Sequence, residues 1–116
     1  MVIVVGDVWR LCRGDDVLAE VTITRADFPW LTGTLAVRPA FAEVASLFAE
    51  ELALTAALED DDGPAAVAAW DAVQARIGAV VTLVAPHGPV AEHLLHVDVE
   101  AGEAWFRWSD EPFPRD

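Results

Sequence analysis

The sequence contains no lysine, no tyrosine and no asparagine, and all seven of its basic residues are arginine. Twenty acidic residues oppose them, leaving a net charge of −13. A chain of this sign is repelled by phosphate backbones, which argues against direct nucleic-acid binding. An anionic membrane surface is disfavoured on the same ground. The single cysteine, Cys12, excludes an internal disulfide and fits a reducing compartment, so the cytoplasm is the expected location. No apolar run approaches the roughly 20 residues that cross a bilayer as a helix. The opening Met1-Val2-Ile3-Val4-Val5 has no basic stretch before it and soon meets Asp7, so it reads as a first strand and not as a signal peptide.

What is present is a compact-domain composition. Of 116 residues, 54% are hydrophobic, which opposes disorder and suits one domain spanning 1–116. The acidity is uneven: residues 1–58 hold eight acids and four arginines, while residues 59–116 hold twelve acids and three arginines. The run Glu59-Asp60-Asp61-Asp62 begins the acidic half. It reads as a solvated turn between helices, or as a docking strip for a basic protein partner.

Periodicity supplies the elements. Residues 2–12 are rich in Val, Leu and Trp, and residues 17–24 alternate, so the two runs predict a hairpin about Arg13-Gly14-Asp15-Asp16. Phe28-Pro29-Trp30-Leu31-Thr32-Gly33 reads as a loop, because Pro29 extends its neighbour and Gly33 marks a turn. Pro39 opens a helix over 39–58 whose apolar stripe is Phe41, Val44, Ala45, Phe48 and Leu52; Glu43, Glu50 and Glu51 belong mostly to the other side. A second helix follows with Asp62 as N-cap, Pro64 in its first turn and Gly78 at its end. Three strands then occupy 79–85, 92–99 and 104–109. The expected fold is α+β: a mainly antiparallel five-stranded sheet in ββααβββ order, with a helical hairpin packed on one face.

No constellation compels a reaction. His87, His93 and His96, with Glu92 and Asp98 nearby, are zinc-ligand types. On one strand, however, His93 and His96 point to opposite faces, so no metal or cofactor is expected. Cys12, Ser46 and Ser109 have no visible base beside them, and no phosphate-cradling or dinucleotide glycine motif occurs. The aromatics are more informative. Trp105 and Arg107 share one face of the last strand, Phe106 and Trp108 the other. An indole beside an arginine suits an interface, or else the tryptophans cap a small core with Arg107 lying over a ring. Trp9 and Trp70 read as core.

The segments Asp27-Phe28-Pro29-Trp30-Leu31, Pro39-Ala40-Phe41-Ala42-Glu43-Val44, His93-Leu94-Leu95-His96 and Trp105–Phe113 resemble those of an uncharacterised family of small acidic bacterial proteins. That resemblance covers most of the chain and implies one compact domain; it carries no activity. The sequence therefore points to a non-enzymatic protein-binding domain, of an inhibitor or immunity type in one version. Its contact surface would be the Phe28–Gly33 loop with Trp30, Trp105, Arg107, Trp108 and Phe113. The alternative is a small-molecule-binding domain or minor enzyme, with a pocket between sheet and helices lined by Trp30, Trp105 and His93.

Overall fold

A computed structural model describes residues 5–111. The chain is α+β, as the periodicity predicts, but the sheet has seven strands among the described residues, not five. They are β1 (Val8–Arg13), β2 (Asp16–Asp27), β3 (Trp30–Val37), β4 (Thr82–Ala85), β5 (Gly88–Pro89), β6 (Glu92–Asp98) and β7 (Glu103–Ser109). Every pairing is antiparallel, in the order β5-β4-β1-β2-β3-β7-β6.

The largest departure from the sequence reading is β3, which occupies the supposed loop. Gly33 is not a turn residue but sits in mid-strand opposite Ile23 and Ala104. A Cβ there would lie 2.5 Å from the Thr22 carbonyl oxygen and 2.5 Å from Val21 Cγ1. Glycine is needed for close backbone approach, one of its recognised uses inside strands. The register shifts between Ile23 and Arg25, a bulge that adds to the twist of β2. The second missed strand, β5, pairs only Gly88 and Pro89 with Ala85 and Val84, too short to leave a pattern.

The predicted single helix over 39–58 is two elements. A 3₁₀ turn spans Pro39–Glu43, and α1 runs Ala45–Ala57, with the break at Val44. The i, i+3 spacing of 3₁₀ winding aligns buried Phe41 and Val44 on one side, and the Phe41 ring stacks on Phe48 at 5.6 Å. The second helix, α2 (Pro64–Val80), runs through Gly78. Its N-cap is Gly63, not Asp62, and Asp61 Oδ1 accepts the Gly63 N–H at 2.9 Å.

The sheet is strongly curled. Trp9 on β1 reaches across to Phe106 (5.1 Å between rings) and Trp108 (5.4 Å) on β7. The concave side holds the core, with Trp9, Leu11, Val21, Ile23, Leu31, Leu83, Leu95 and Phe106 all buried. Phe48 and Ile77 join it from α1 and α2. Both helices pack against β6, so the helical hairpin covers one end strand of a curled sheet and does not lie across a flat face. Two side chains stitch this seam: Gln74 Nε2 donates to the Leu95 carbonyl (3.3 Å), and His93 Nε2 donates to the Val81 carbonyl (3.1 Å).

Candidate functional site

A two-residue turn closes β2 and β3, with Asp27 paired to Trp30 and a cis Phe28–Pro29 peptide between them. The turn lifts Phe28 clear of the body, and its side chain is 98% exposed. An isolated exposed apolar residue needs no explanation, but this one stands between two grooves. One, of about 590 Å³, runs past Pro29, Trp30, Trp108 and Asp110. The other, of about 420 Å³, runs past Arg25, Trp30, Glu103 and Trp105.

Register assembles the surface behind the tip. Trp30 lies opposite Arg107, Thr32 opposite Trp105, and Trp105 opposite His96. Trp30, Trp105, Arg107 and His96 thus share the convex face. The His96 ring stacks near-parallel to three indoles: Trp105 at 5.2 Å, Trp30 at 5.6 Å and Trp70 of α2 at 6.4 Å. Trp30, Trp70 and Trp105 are each half-buried, whereas His96 is 6% exposed.

Beneath this stack lies a polar cluster that the sequence reading missed. Glu51 of α1 is 0% exposed. Its Oε2 accepts hydrogen bonds from Thr55 Oγ1 (2.8 Å), Trp70 Nε1 (2.9 Å) and Gln74 Nε2 (3.0 Å). His96 Nδ1 also lies 2.9 Å from Oε2. Burial pushes the Glu51 carboxyl up; His96 and the donors from Thr55 and Trp70 outweigh it and hold the carboxyl below its ordinary value. A fully buried Glu51 and a nearly buried His96 cannot reach a substrate. The cluster fixes Trp70 and the His96 ring, and through that ring the Trp30 and Trp105 indoles.

Glu51 is therefore on the inward side of α1, not among the solvent-facing acids. It follows Phe48 by three residues and Val44 by seven, the spacing of the apolar stripe itself. Gln74 stands likewise between buried Val73 and Ile77. A polar residue interrupting an apolar stripe was the available signal. Trp70, expected in the core, is half-buried with its indole N–H committed to Glu51. Trp9, also expected there, is fully buried.

The remaining sequence candidates separate. Trp108 points to the concave side, half-buried against Trp9 and against the His87 ring at 5.8 Å. Phe113 falls outside the described residues. Glu59, Asp60, Asp61 and Asp62 are exposed between the two helices. The three histidines diverge: His87 Nε2 meets Asp110 Oδ1 at 3.0 Å, His93 lies opposite Trp108, and His96 lies opposite Trp105 on the other face. Among the described residues no group of three His, Cys, Asp or Glu side chains is placed to hold a metal.

Trp30 and His93, expected to line one pocket, line different depressions. His93 borders a partly enclosed cavity of about 760 Å³ between α2, β4 and residues 90–94. Burial pushes its pKa below the ordinary value, against smaller opposing effects of the Val81 carbonyl and Glu92. No helix is long and apolar enough to cross a membrane among the described residues. No protein-family model, curated protein or solved structure matches the chain.

Proposed function

We propose that the chain is a non-enzymatic binding domain that engages a basic protein partner through the β2–β3 hairpin tip. The observation carrying this reading is Phe28, 98% exposed at the apex between two grooves that meet at Trp30. The two-residue turn fixes where the ring is presented, at the apex of the hairpin. Trp30 and Trp105 form a firm platform beside it because their neighbour His96 is anchored on Glu51. Tryptophan and arginine are the residue types that most often dominate interfaces. Asp27, Glu103 and Asp110 rim the grooves, and the chain's net charge of −13 steers a cationic partner towards it. An inhibitor or immunity-type role against such a partner is the specific form this reading takes.

A photo-crosslinking side chain at position 28 in the full chain tests it. The expected result is a discrete adduct with a basic protein, weakened at about 0.5 M salt, where screening falls to a few ångströms. Replacing Trp30 or Trp105 with alanine should abolish the adduct. Equal adduct yields in these variants, or none from position 28, would refute the hairpin-tip reading.

A further inference from the structure

The smaller groove at the hairpin tip combines flat aromatic walls with charge. At its centre is Thr32, which register places between Arg25 of β2 and Trp105 of β7. Trp30 stands two positions before Thr32 on the same strand and face, so the two indoles are diagonal neighbours about a short side chain. The slot they wall is about 420 Å³, with the exposed Phe28 also lining it. Both indoles are half-buried, and each lies near-parallel to the His96 imidazole, at 26° for Trp30 and 23° for Trp105. The same two indoles thus already stack on one planar nitrogen group.

The charges are placed beside these walls. Asp27 lies opposite Trp30, and Glu103 stands two positions before Trp105 on its face of β7. Both carboxylates are exposed and line the groove, as does Arg25. Arg13, Arg38 and Arg76 each close on an acid, at 2.6, 3.0 and 2.9 Å. Among the described residues Arg25 pairs with neither Asp27 nor Glu103, although all three line one groove. Two carboxylates against one guanidinium leave a single negative charge in excess, which one cation cancels. A purely apolar occupant would desolvate the carboxylates without compensation. An ammonium would satisfy them but has no flat face. A guanidinium meets both demands: its plane stacks on indoles and its fork of N–H groups suits carboxylates.

We infer that this groove is the pocket for one arginine side chain of the basic partner, with the guanidinium against Trp30 and Trp105 and its N–H groups donated to Asp27 and Glu103. The inference rests on the hairpin-tip reading and names the side chain that the tip recognises.

NMR of the tryptophan indole N–H groups in the full chain tests the pocket, using three blocked glycine pentapeptides whose central residue is arginine, lysine or citrulline. The arginine peptide should shift Trp30 and Trp105 saturably and leave the fully buried Trp9 in place. Citrulline has the shape without the charge and should not bind. Lysine has the charge without the plane and should bind about threefold more weakly. Asp27→Asn and Glu103→Gln should each weaken the arginine peptide about threefold, the scale of an exposed ion pair. Arg25→Ala removes a like charge and should tighten it by a similar factor. These three positions are exposed, so their unfolding curves should match wild type. Trp105→Leu keeps apolar bulk without the indole face and should weaken the peptide about fivefold. The inference is overturned if the arginine peptide leaves Trp30 and Trp105 unmoved, if citrulline or lysine binds as tightly, or if the variants at 25, 27 and 103 all bind alike. Any of these results together with a discrete adduct from position 28 removes the arginine pocket alone. Absence of that adduct removes the hairpin-tip reading, whatever the peptides do.

Discussion

Glu51 is the residue on which the aromatic surface depends. Its carboxylate gathers three hydrogen bonds and the His96 contact on one oxygen. Removing a buried carboxylate leaves the Thr55, Trp70 and Gln74 donors that converge on it unmatched and costs about 3 kcal/mol. Glu51→Ala should therefore lower stability by about that much in urea unfolding, and Glu51→Gln, which keeps an acceptor, by about 1–3 kcal/mol. Glu51→Ala should also alter tryptophan fluorescence, since Trp70 loses that acceptor and the His96 ring its anchor. Phe28 is the opposite case: Phe28→Ala should change stability by less than about 0.5 kcal/mol, because the side chain touches almost nothing. A larger loss in thermal unfolding would show that the tip packs on the body. Neither role is marked by residue type. Glu51 was legible only through its phase on the helix, and Phe28 only as a large aromatic beside a proline.

At the scale of elements, the strand misread as a loop shows why local chemistry fails where two backbones meet. Pro29 and Gly33 are punctuation in isolation, yet here one shapes a two-residue turn and the other permits β2 and β3 to touch. Gly33→Ala should destabilise by about 1–3 kcal/mol, the range for overpacked sites. The Cβ would press on the Thr22 carbonyl, a backbone atom that cannot rotate away. Trp9→Ala should cost about 3–5 kcal/mol, because the indole spans the curl from β1 to Phe106 and Trp108. Chemical denaturation of both variants checks these values. The phases of β6 and β7 were legible from alternation alone. His93 and His96 fall on opposite faces, as do Trp105 and Trp108.

For the whole molecule, acid should be destabilising through two groups in separate windows. His93 has a folded pKa below its ordinary 6.5. Below 6.5 the unfolded chain binds a proton that the native ring refuses, so stability falls as pH drops from there towards the folded value. Glu51 has a folded pKa below 4.5. The stability it contributes is complete above 4.5 and is lost as pH falls through its folded value. Relief of repulsion among the twenty acids acts in the opposite sense, but the wild type and single-site variants share that effect. The difference in urea midpoint between wild type and His93→Gln should therefore change below about pH 6.5, and that for Glu51→Gln below about pH 4.5. A pH-independent difference would contradict the assignment.

The sequence by itself determined the α+β class, the opposed faces of β6 and β7, a first hairpin turning at Arg13–Asp16, and a strongly acidic surface. Each follows from composition or from periods of two and near four, which are local properties of the chain. Only the tertiary structure decided the curl of the sheet, the strand through Gly33, the burial of Glu51 under a tryptophan-flanked histidine, and the separation of Trp30 from the His93 cavity. Those depend on residues far apart in sequence meeting across β3, β7, β6 and the helices. Of the groups that gather on Glu51 only Thr55 is local; Trp70, Gln74 and His96 lie 19 to 45 positions away, and no window of neighbouring residues contains them.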